Sequence, residues 1–304
     1  MKYTNKFDLP ECFERFNTIN AHTKAGAKYS VTEVIDSPLI PRLRALHASE
    51  IEVDISDRIM AILGTAVHNI LEQGAPEGSI VESRMETEVS GVSVSGQIDL
   101  MTPTGDGGFL ISDYKTCRGI ALKMNPWGKP EWSQQLNLYA LIAKDNGFTV
   151  SGLEVIAIVR DWNAGDASRS PDYPQQAVVR LPIPQWDLEE QHNFLSDRVG
   201  MHSSKEARPC TPEEMWERPT KWAVHRRNKD GSYRKRAHRV CDTRAEADGK
   251  ALEYVNPSVG YEVKSKVVER PGARVRCEGN YCSVSEHCPS WSKWKSEQQK
   301  GKGE

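Results

Sequence analysis

Long apolar runs are missing from this chain of 304 residues. No stretch approaches the roughly 20 residues that cross a bilayer, so a membrane-spanning protein is not expected. The opening, MKYTNKFDLPECFERF, lacks an apolar h-region, which leaves the cytoplasm as the expected location. Charge of one sign is missing too. The net charge is −2, from 40 Lys+Arg against 42 Asp+Glu, so bulk electrostatics give no argument for a polyanionic partner, and nucleic-acid binding would need local basic patches. There is no internal repeat, which argues against solenoids and propellers. What remains, 38% hydrophobic and 27% charged residues, is the balance of a globular chain large enough for a real core.

Seven cysteines are an odd count, five of them in the last third: Cys210, Cys241, Cys277, Cys282 and Cys288. In a cytoplasmic protein such clustering points to metal chemistry more than to disulfides. The chain divides into a lead-in over 1–30, a core over 31–205, a Cys-rich subdomain over 206–292 and a polar tail over 293–304. Within the core, VTEVIDSPLIPRLRAL reads as helix broken by Pro38 and Pro41. Ser56 is the expected N-cap of a second helix whose apolar face is Ile59, Ile62, Leu63, Ala66, Val67, Ile70 and Leu71, stopping at Gly74. Val92–Leu100 alternates apolar and polar residues, as a half-buried strand does. TPTGDGG is turn chemistry, and GFLISDYKT reads as a more buried strand. Helix is expected at 131–146, 185–204 and 242–253, and strand at 153–160 and 175–183.

The two strands around TPTGDGG carry the chemistry. In an antiparallel hairpin centred near Asp106, Asp99 and Asp113 are equidistant from the turn and face each other, with Lys115 on the face of Asp113. Opposed carboxylates repel, and a divalent cation between them removes that cost. Hard oxygen ligands suit Mg²⁺ or Mn²⁺, which polarises a phosphoryl oxygen and acidifies water, while a neighbouring lysine orients that water or neutralises developing charge. Carboxylate, carboxylate and lysine together read as metal-assisted phosphodiester hydrolysis. His68, one turn after Gly64, and Gln135, an amide on an apolar helical stripe, fit the same centre. Gly64 would allow that helix a close approach.

Four motifs in order, GTAVH (64–68), SGQID (95–99), SDYKT (112–116) and QLNLY (135–139), resemble the PD-(D/E)XK nuclease superfamily. The resemblance is to its RecB-like branch, which includes CRISPR-associated exonucleases and phage recombination exonucleases. It implies an α/β fold with a restriction-endonuclease-like core, a central mixed β-sheet flanked by helices. It implies that His68, Asp99 and Asp113 bind Mg²⁺ or Mn²⁺, that Lys115 is catalytic, and that Gln135 and Tyr139 belong to the site; Glu82 or Glu86 is an outside candidate. It also implies DNA, as single strands or duplex ends, as substrate of an exonuclease in a bacterial cell or phage-infected host. A recombination or repair role follows, with a recombinase or single-strand annealing protein as partner.

RCEGNYCSVSEHCPSW places three cysteines close together, a spacing suited to a soft metal or an iron–sulfur cluster. Relatives in the RecB-like branch often carry a [4Fe–4S] cluster near the C-terminus, usually held by one early and three late cysteines. Here Ser37-Pro38 stands where the early ligand is expected, so the candidate set is Cys210, Cys277, Cys282 and Cys288, with Cys12 as the alternative fourth ligand. Zn²⁺, with His287 as a ligand, is the alternative metal. The run HRRNKDGSYRKRAHR holds seven cations around a Lys-Asp-Gly-Ser turn, and Arg226, Arg227, Arg234, Lys235 and Arg236 are its candidate DNA contacts. Trp216, Trp222 and Tyr233 are candidates to stack on bases, against the plainer reading of core aromatics. The rival functions are a nuclease-fold protein that binds DNA without cutting it, and an interaction protein held by its cysteines.

Overall fold

The computed structural model describes residues 2–19, 24–228, 230–252 and 265–300. It forms two compact units, residues 1–208 and 209–304.

In the first unit the chain runs β1 (Lys2–Thr4), α1 (Glu11–Ile19), β2 (Tyr29–Ser30), α2 (Val31–Val34), α3 (Leu39–Leu46), β3 (Glu52–Asp54), α4 (Ile59–Gln73), β4 (Ile80–Val89), β5 (Val92–Pro103), β6 (Phe109–Cys117), α5 (Gly119–Met124), α6 (Pro130–Asp145), β7 (Val150–Val159), α7 (Ala164–Arg169), β8 (Val178–Ile183) and α8 (Leu188–Ser203). Parts of the expected lead-in join the fold: β1 pairs with β3 and β2 with β5, both parallel. The helical stretch breaks at Ser37-Pro38, whereas Pro41 sits in the first turn of α3, where its missing N–H costs nothing. Asp54, not Ser56, caps the 3₁₀ turn ahead of α4 by accepting from Ser56 N. Gly74 does terminate α4, but its apolar face is only partly covered, with Ile62, Val67 and Leu71 half-buried and Ile59, Leu63, Ala66 and Ile70 exposed.

Six strands form one mixed sheet. β4, β5 and β6 are antiparallel neighbours, β6 and β7 are parallel, and β8 closes the edge antiparallel to β7. The pairing of β5 positions everything that follows. One of its edges is taken by β4 from Val92 to Met101. On the other, β2 covers Val94 and Ser95 while β6 covers Leu100 to Pro103. Among the described residues no strand covers Gly96–Asp99 on that side, so the sheet opens there.

Helix α6 packs on this sheet and is nearly all buried. Leu136, Leu138, Leu141 and Ile142 are fully sequestered, each contributing roughly 1.5–3 kcal/mol of transfer free energy. The register of α6 on β5 demands Gly96: a Cβ there would lie 2.9 Å from Tyr139 Cδ1. α2 and α8 cover the same region. Ser30 accepts from Glu33 N at the start of α2, and buried Arg198 of α8 donates to the carbonyls of Val34 and Asp36 at its end.

The second unit contains β9 (Glu217–Arg218), β10 (Lys221–Arg226), β11 (Arg239–Cys241), α9 (Arg244–Leu252), β12 (Ser265–Arg270), β13 (Ala273–Arg274), α10 (Val275–Glu278) and α11 (Pro289–Lys300). β10 is the centre of a small antiparallel sheet between β11 and β12, with Val224, Cys241 and Ala247 as its buried core. The segment expected as a polar tail from Lys293 continues α11; residues 301–304 lie outside the described residues.

Candidate active site

The β5–β6 ladder confirms the hairpin geometry and adds a detail. Opposite pairs run from Pro103↔Phe109 to Leu100↔Ser112 and stop one step short of Asp99 and Asp113. There the strands part, and Asp99 Oδ2 accepts from Tyr114 N at 2.8 Å in place of a ladder bond. The β4–β5 ladder has a matching gap. Val81↔Leu100 and Ser83↔Ile98 flank Glu82 opposite Asp99, a pair absent from the ladder, and Glu82 has φ +46°. A left-handed non-glycine residue inside a strand costs on the order of 1–3 kcal/mol and marks a functional constraint. Glu82, Asp99 and Asp113 thus form one row across three strands, at the place where the sheet opens.

His68 of α4 closes the row. Its Nδ1 lies 3.4 Å from Glu82 Oε1 and 3.5 Å from Asp99 Oδ1. Its Nε2 is 3.3 Å from the carbonyl of Tyr114, which can only accept, so Nε2 is the donor and the Nδ1 lone pair faces the carboxylates in the neutral ring. Ligand atoms of His68, Glu82 and Asp99 all lie within 4.8 Å of one another. Gly64 plays no part: a Cβ there would meet nothing within 4 Å.

The other half of the site is set by α6. Lys115 Nζ lies 2.7 Å from Asp113 Oδ2 and donates to Gln135 Oε1 at 3.0 Å. Gln135 Nε2 lies 3.1 Å from Asp113 Oδ1 and 2.7 Å from the Tyr139 hydroxyl, donating to both. One amide thereby fixes lysine, aspartate and tyrosine, which satisfies its burial on an apolar stripe. Asp113 Oδ2 is buried and makes no hydrogen bond of good geometry among the described residues. Burial, then the charge of Asp113, raises the Asp99 carboxyl to about 7. The His68 ring is also raised, chiefly by its hydrogen bond with Glu82. Buried carboxylates in one row, a carboxyl that resists ionising and an imidazole among hard oxygen donors are what a divalent cation would relieve, so the residues fit Mg²⁺ or Mn²⁺.

Titration of Asp99 has a measurable sign. A carboxyl whose folded pKa is raised favours the fold while protonated and loses that contribution as pH climbs from its ordinary 3.8 through about 7. A cation must displace this proton. Mn²⁺ affinity, measured by calorimetry in buffers of different ionisation enthalpy, is expected to fall at least tenfold per pH unit below about 7, with proton release that exceeds one where the raised His68 is also charged. A pH-independent affinity between 5.5 and 7 would contradict it.

In the second unit, Cys277 and Cys288 are buried and Cys210 and Cys282 partly so. Burial pushes the Cys277 thiol up to about 11, with further contributions from Cys282, Cys288 and Cys210 in that order. The charges of the other three cysteines reach Cys277, but among the described residues no three of the four come within 4.8 Å of one another. Cys12, the alternative ligand, is exposed in α1 of the first unit; Cys117 and Cys241 belong to apolar cores. No group of His287 with cysteines occurs among the described residues.

Among the cations, Arg234, Lys235 and Arg236 are exposed. Arg227 donates to the Gly231 carbonyl across a turn bridged by Arg227 and Tyr233, and Arg226 lies against His238; Lys229 lies outside the described residues. The aromatics have partners within the unit: Trp222 under Arg244, Tyr233 under Lys266, and Trp216 against Tyr281 and Arg276. Trp222 packs against the small core, whereas Trp216 is exposed.

Sequence reasoning ranked Glu82 as an outside candidate, and the structure seats it in the row; Glu86 is exposed and outside it. The family profile of the PD-(D/E)XK nuclease superfamily matches residues 61–289, a span that includes the carboxylate row and the three late cysteines. A solved structure, titled "Crystal structure of SSO0001", is similar at 17% identity and a TM-score of 0.44, over 63% of this chain and 84% of that one. No curated protein matches. Among the described residues no helix is long and apolar enough to cross a membrane.

Proposed function

This chain belongs to the PD-(D/E)XK nuclease superfamily, a superfamily of metal-dependent nucleases, and from that premise we propose that it is a deoxyribonuclease of the RecB-like branch. It acts as an exonuclease on single strands or duplex ends, in the cytoplasm of a bacterial cell or phage-infected host. Its role is in DNA recombination or repair, alongside a recombinase or single-strand annealing protein. The observation that carries the reading is the row Glu82–Asp99–Asp113 with His68 at one end and Lys115 at the other, at an opening in the sheet.

His68, Asp99 and Asp113, with Glu82 added, would hold Mg²⁺ or Mn²⁺. Such an ion polarises a phosphoryl oxygen and lowers the pKa of a bound water. Lys115 is pinned by Gln135 and Asp113, so its ammonium is preorganised to orient the attacking water or to meet the charge that develops on the phosphate. Gln135 positions Lys115 and Asp113, and Tyr139 anchors Gln135.

The nuclease core spans 31–205 and a Cys-rich subdomain 206–292. In the subdomain Cys210, Cys277, Cys282 and Cys288 would hold a [4Fe–4S] cluster, with Zn²⁺ as the alternative metal. A tetrahedral zinc site sets sulfurs about 3.8 Å apart, from Zn–S bonds of about 2.3 Å. Among the described residues no three of these cysteines come within 4.8 Å of one another, so they do not form that compact set here. Arg234, Lys235 and Arg236, with Arg226 and Arg227 at the base of the turn, offer cations to a DNA backbone.

Exonuclease mode is tested with Mn²⁺ on linear and closed circular single strands of one sequence. Loss of the linear strand alone is the expected result. Degradation of both at similar rates would make the enzyme an endonuclease.

A further inference from the structure

A cavity of about 680 Å³ opens beside the carboxylate row, where β5 lacks a neighbour on one edge. Its lining includes the acids Glu33, Asp36, Glu82 and Asp99 with His68, and the cations Lys24, Arg44 and Arg84. Lys24 is paired with Glu33, and Arg44 is exposed on α3. Arg84 is different. It is half-buried on β4, two residues from Glu82, and among the described residues it makes no ion pair. Its guanidinium donates to Gln97 Oε1 and, at 3.4 Å, to Ser95 Oγ, both neutral acceptors.

A half-buried arginine without an ion-pair partner among the described residues, two residues along the strand from the acid Glu82, is an unbalanced arrangement. Desolvated charge is ordinarily paired. Glu82 is not its partner: Gln97 stands between them, accepting from Arg84 with its carbonyl and donating from Nε2 to Glu82 Oε2 at 2.6 Å. The amide keeps the cation and the acid apart and aligned, so the guanidinium stays available to an anion entering the cavity.

We propose that Arg84 binds a backbone phosphate adjacent to the scissile one, with Gln97 as the positioning residue that keeps Arg84 from collapsing onto Glu82. The inference rests on the nuclease reading and deepens it by fixing where the strand lies relative to the row: across the opening of β5, between β4 and α3. Guanidinium presents a planar fork that matches phosphate, so a lysine at 84 should recover only part of the function.

The test is binding of a fluorescent 20-nucleotide single strand in EDTA, where nothing is cleaved, between 50 and 200 mM KCl. Arg84→Ala is expected to weaken binding about tenfold at the lower salt, and to reduce the slope of log K against log salt by about 0.7, the loss of one phosphate contact. Arg84→Lys restores the slope but not the full affinity. Mn²⁺ affinity, measured separately without DNA, stays within twofold. Unchanged DNA affinity and slope with weakened Mn²⁺ binding would overturn the proposal and make Arg84 a support for Glu82. A loss confined to 5′-phosphorylated strands would overturn the internal-phosphate assignment. Failure of the unsubstituted protein to bind the strand at 50 mM salt would sink the proposal and the DNA substrate together. Normal Arg84-dependent binding by a protein that never cleaves would instead leave the proposal standing and remove the catalytic reading.

Discussion

Alanine at Lys115 is expected to lower metal-dependent cleavage about 10³-fold, the size of effect seen when a preorganised donor to a developing oxyanion is removed. The loss should fall on kcat, with KM for DNA little changed, because the ammonium acts where charge develops in the transition state. A second signature follows from burial. Asp113 is only 2% exposed, and Lys115 Nζ is its counter-charge at 2.7 Å. Removing that partner strands a carboxylate in the core, which costs on the order of 3–5 kcal/mol in metal-free protein. The metal-free Tm of Lys115→Ala should therefore drop, and Mn²⁺ should restore more of it than in the parent, since the cation replaces the lost charge. Activity within tenfold of the parent, or a Tm insensitive to the substitution, would contradict this account of Lys115.

Serine at Cys277 is expected to cost the second unit its stability outright. Among the described residues that unit has little else to hold it. The small sheet encloses Val224, Cys241 and Ala247, and around the cysteines the buried apolar residues are few, Met215, Val284 and Trp291 among them. A core this size gives little net stability without a staple. A structural metal centre contributes on the order of 10 kcal/mol when folding and binding are coupled. Cys277→Ser should lack the iron and acid-labile sulfide of the parent, and limited proteolysis should digest residues 209–304 while sparing 1–208. Cys241→Ser, in the sheet core, should keep full iron content. Stoichiometric zinc and no iron in the parent would replace the cluster with a zinc site, and an undiminished unit in Cys277→Ser would remove the staple altogether.

The hairpin that carries Asp99 and Asp113 is legible in the sequence because two independent signals agree there: a glycine-rich turn and strict alternation on the strand before it. α6 is legible for a similar reason, a long apolar stripe in which Gln135 stands out. Glu82 is not. Its strand, IVESRMETEV, interleaves acids and bases with apolar residues and shows no clean period. The signal that would have found it is the rule already used for the hairpin: about the turn at Ser90-Gly91, Glu82 and Asp99 are equidistant. The parallel pairings of β1 and β2 involve two or three residues, too few to show any period. The exposed face of α4 reflects the reverse limit, since periodicity fixes which residues share a face but not how much of it a neighbour covers. Among the cysteines, the short spacing of Cys277, Cys282 and Cys288 was informative. The fourth member, Cys210, is offered by sequence with Cys12 as the alternative, and the fold places Cys12 exposed in the first unit and Cys241 in a sheet core.

The central claim is that this row of carboxylates hydrolyses phosphodiester bonds with a divalent cation. Its most direct test is incubation of end-labelled linear DNA with the purified full chain, in Mn²⁺ and in EDTA, beside Asp113→Asn. The account predicts cleavage in Mn²⁺ only, and none by the variant in either condition. Equal cleavage by parent and variant would place the chemistry elsewhere, and bound but uncut DNA in Mn²⁺ and Mg²⁺ alike would make the protein a nuclease fold that binds without cutting.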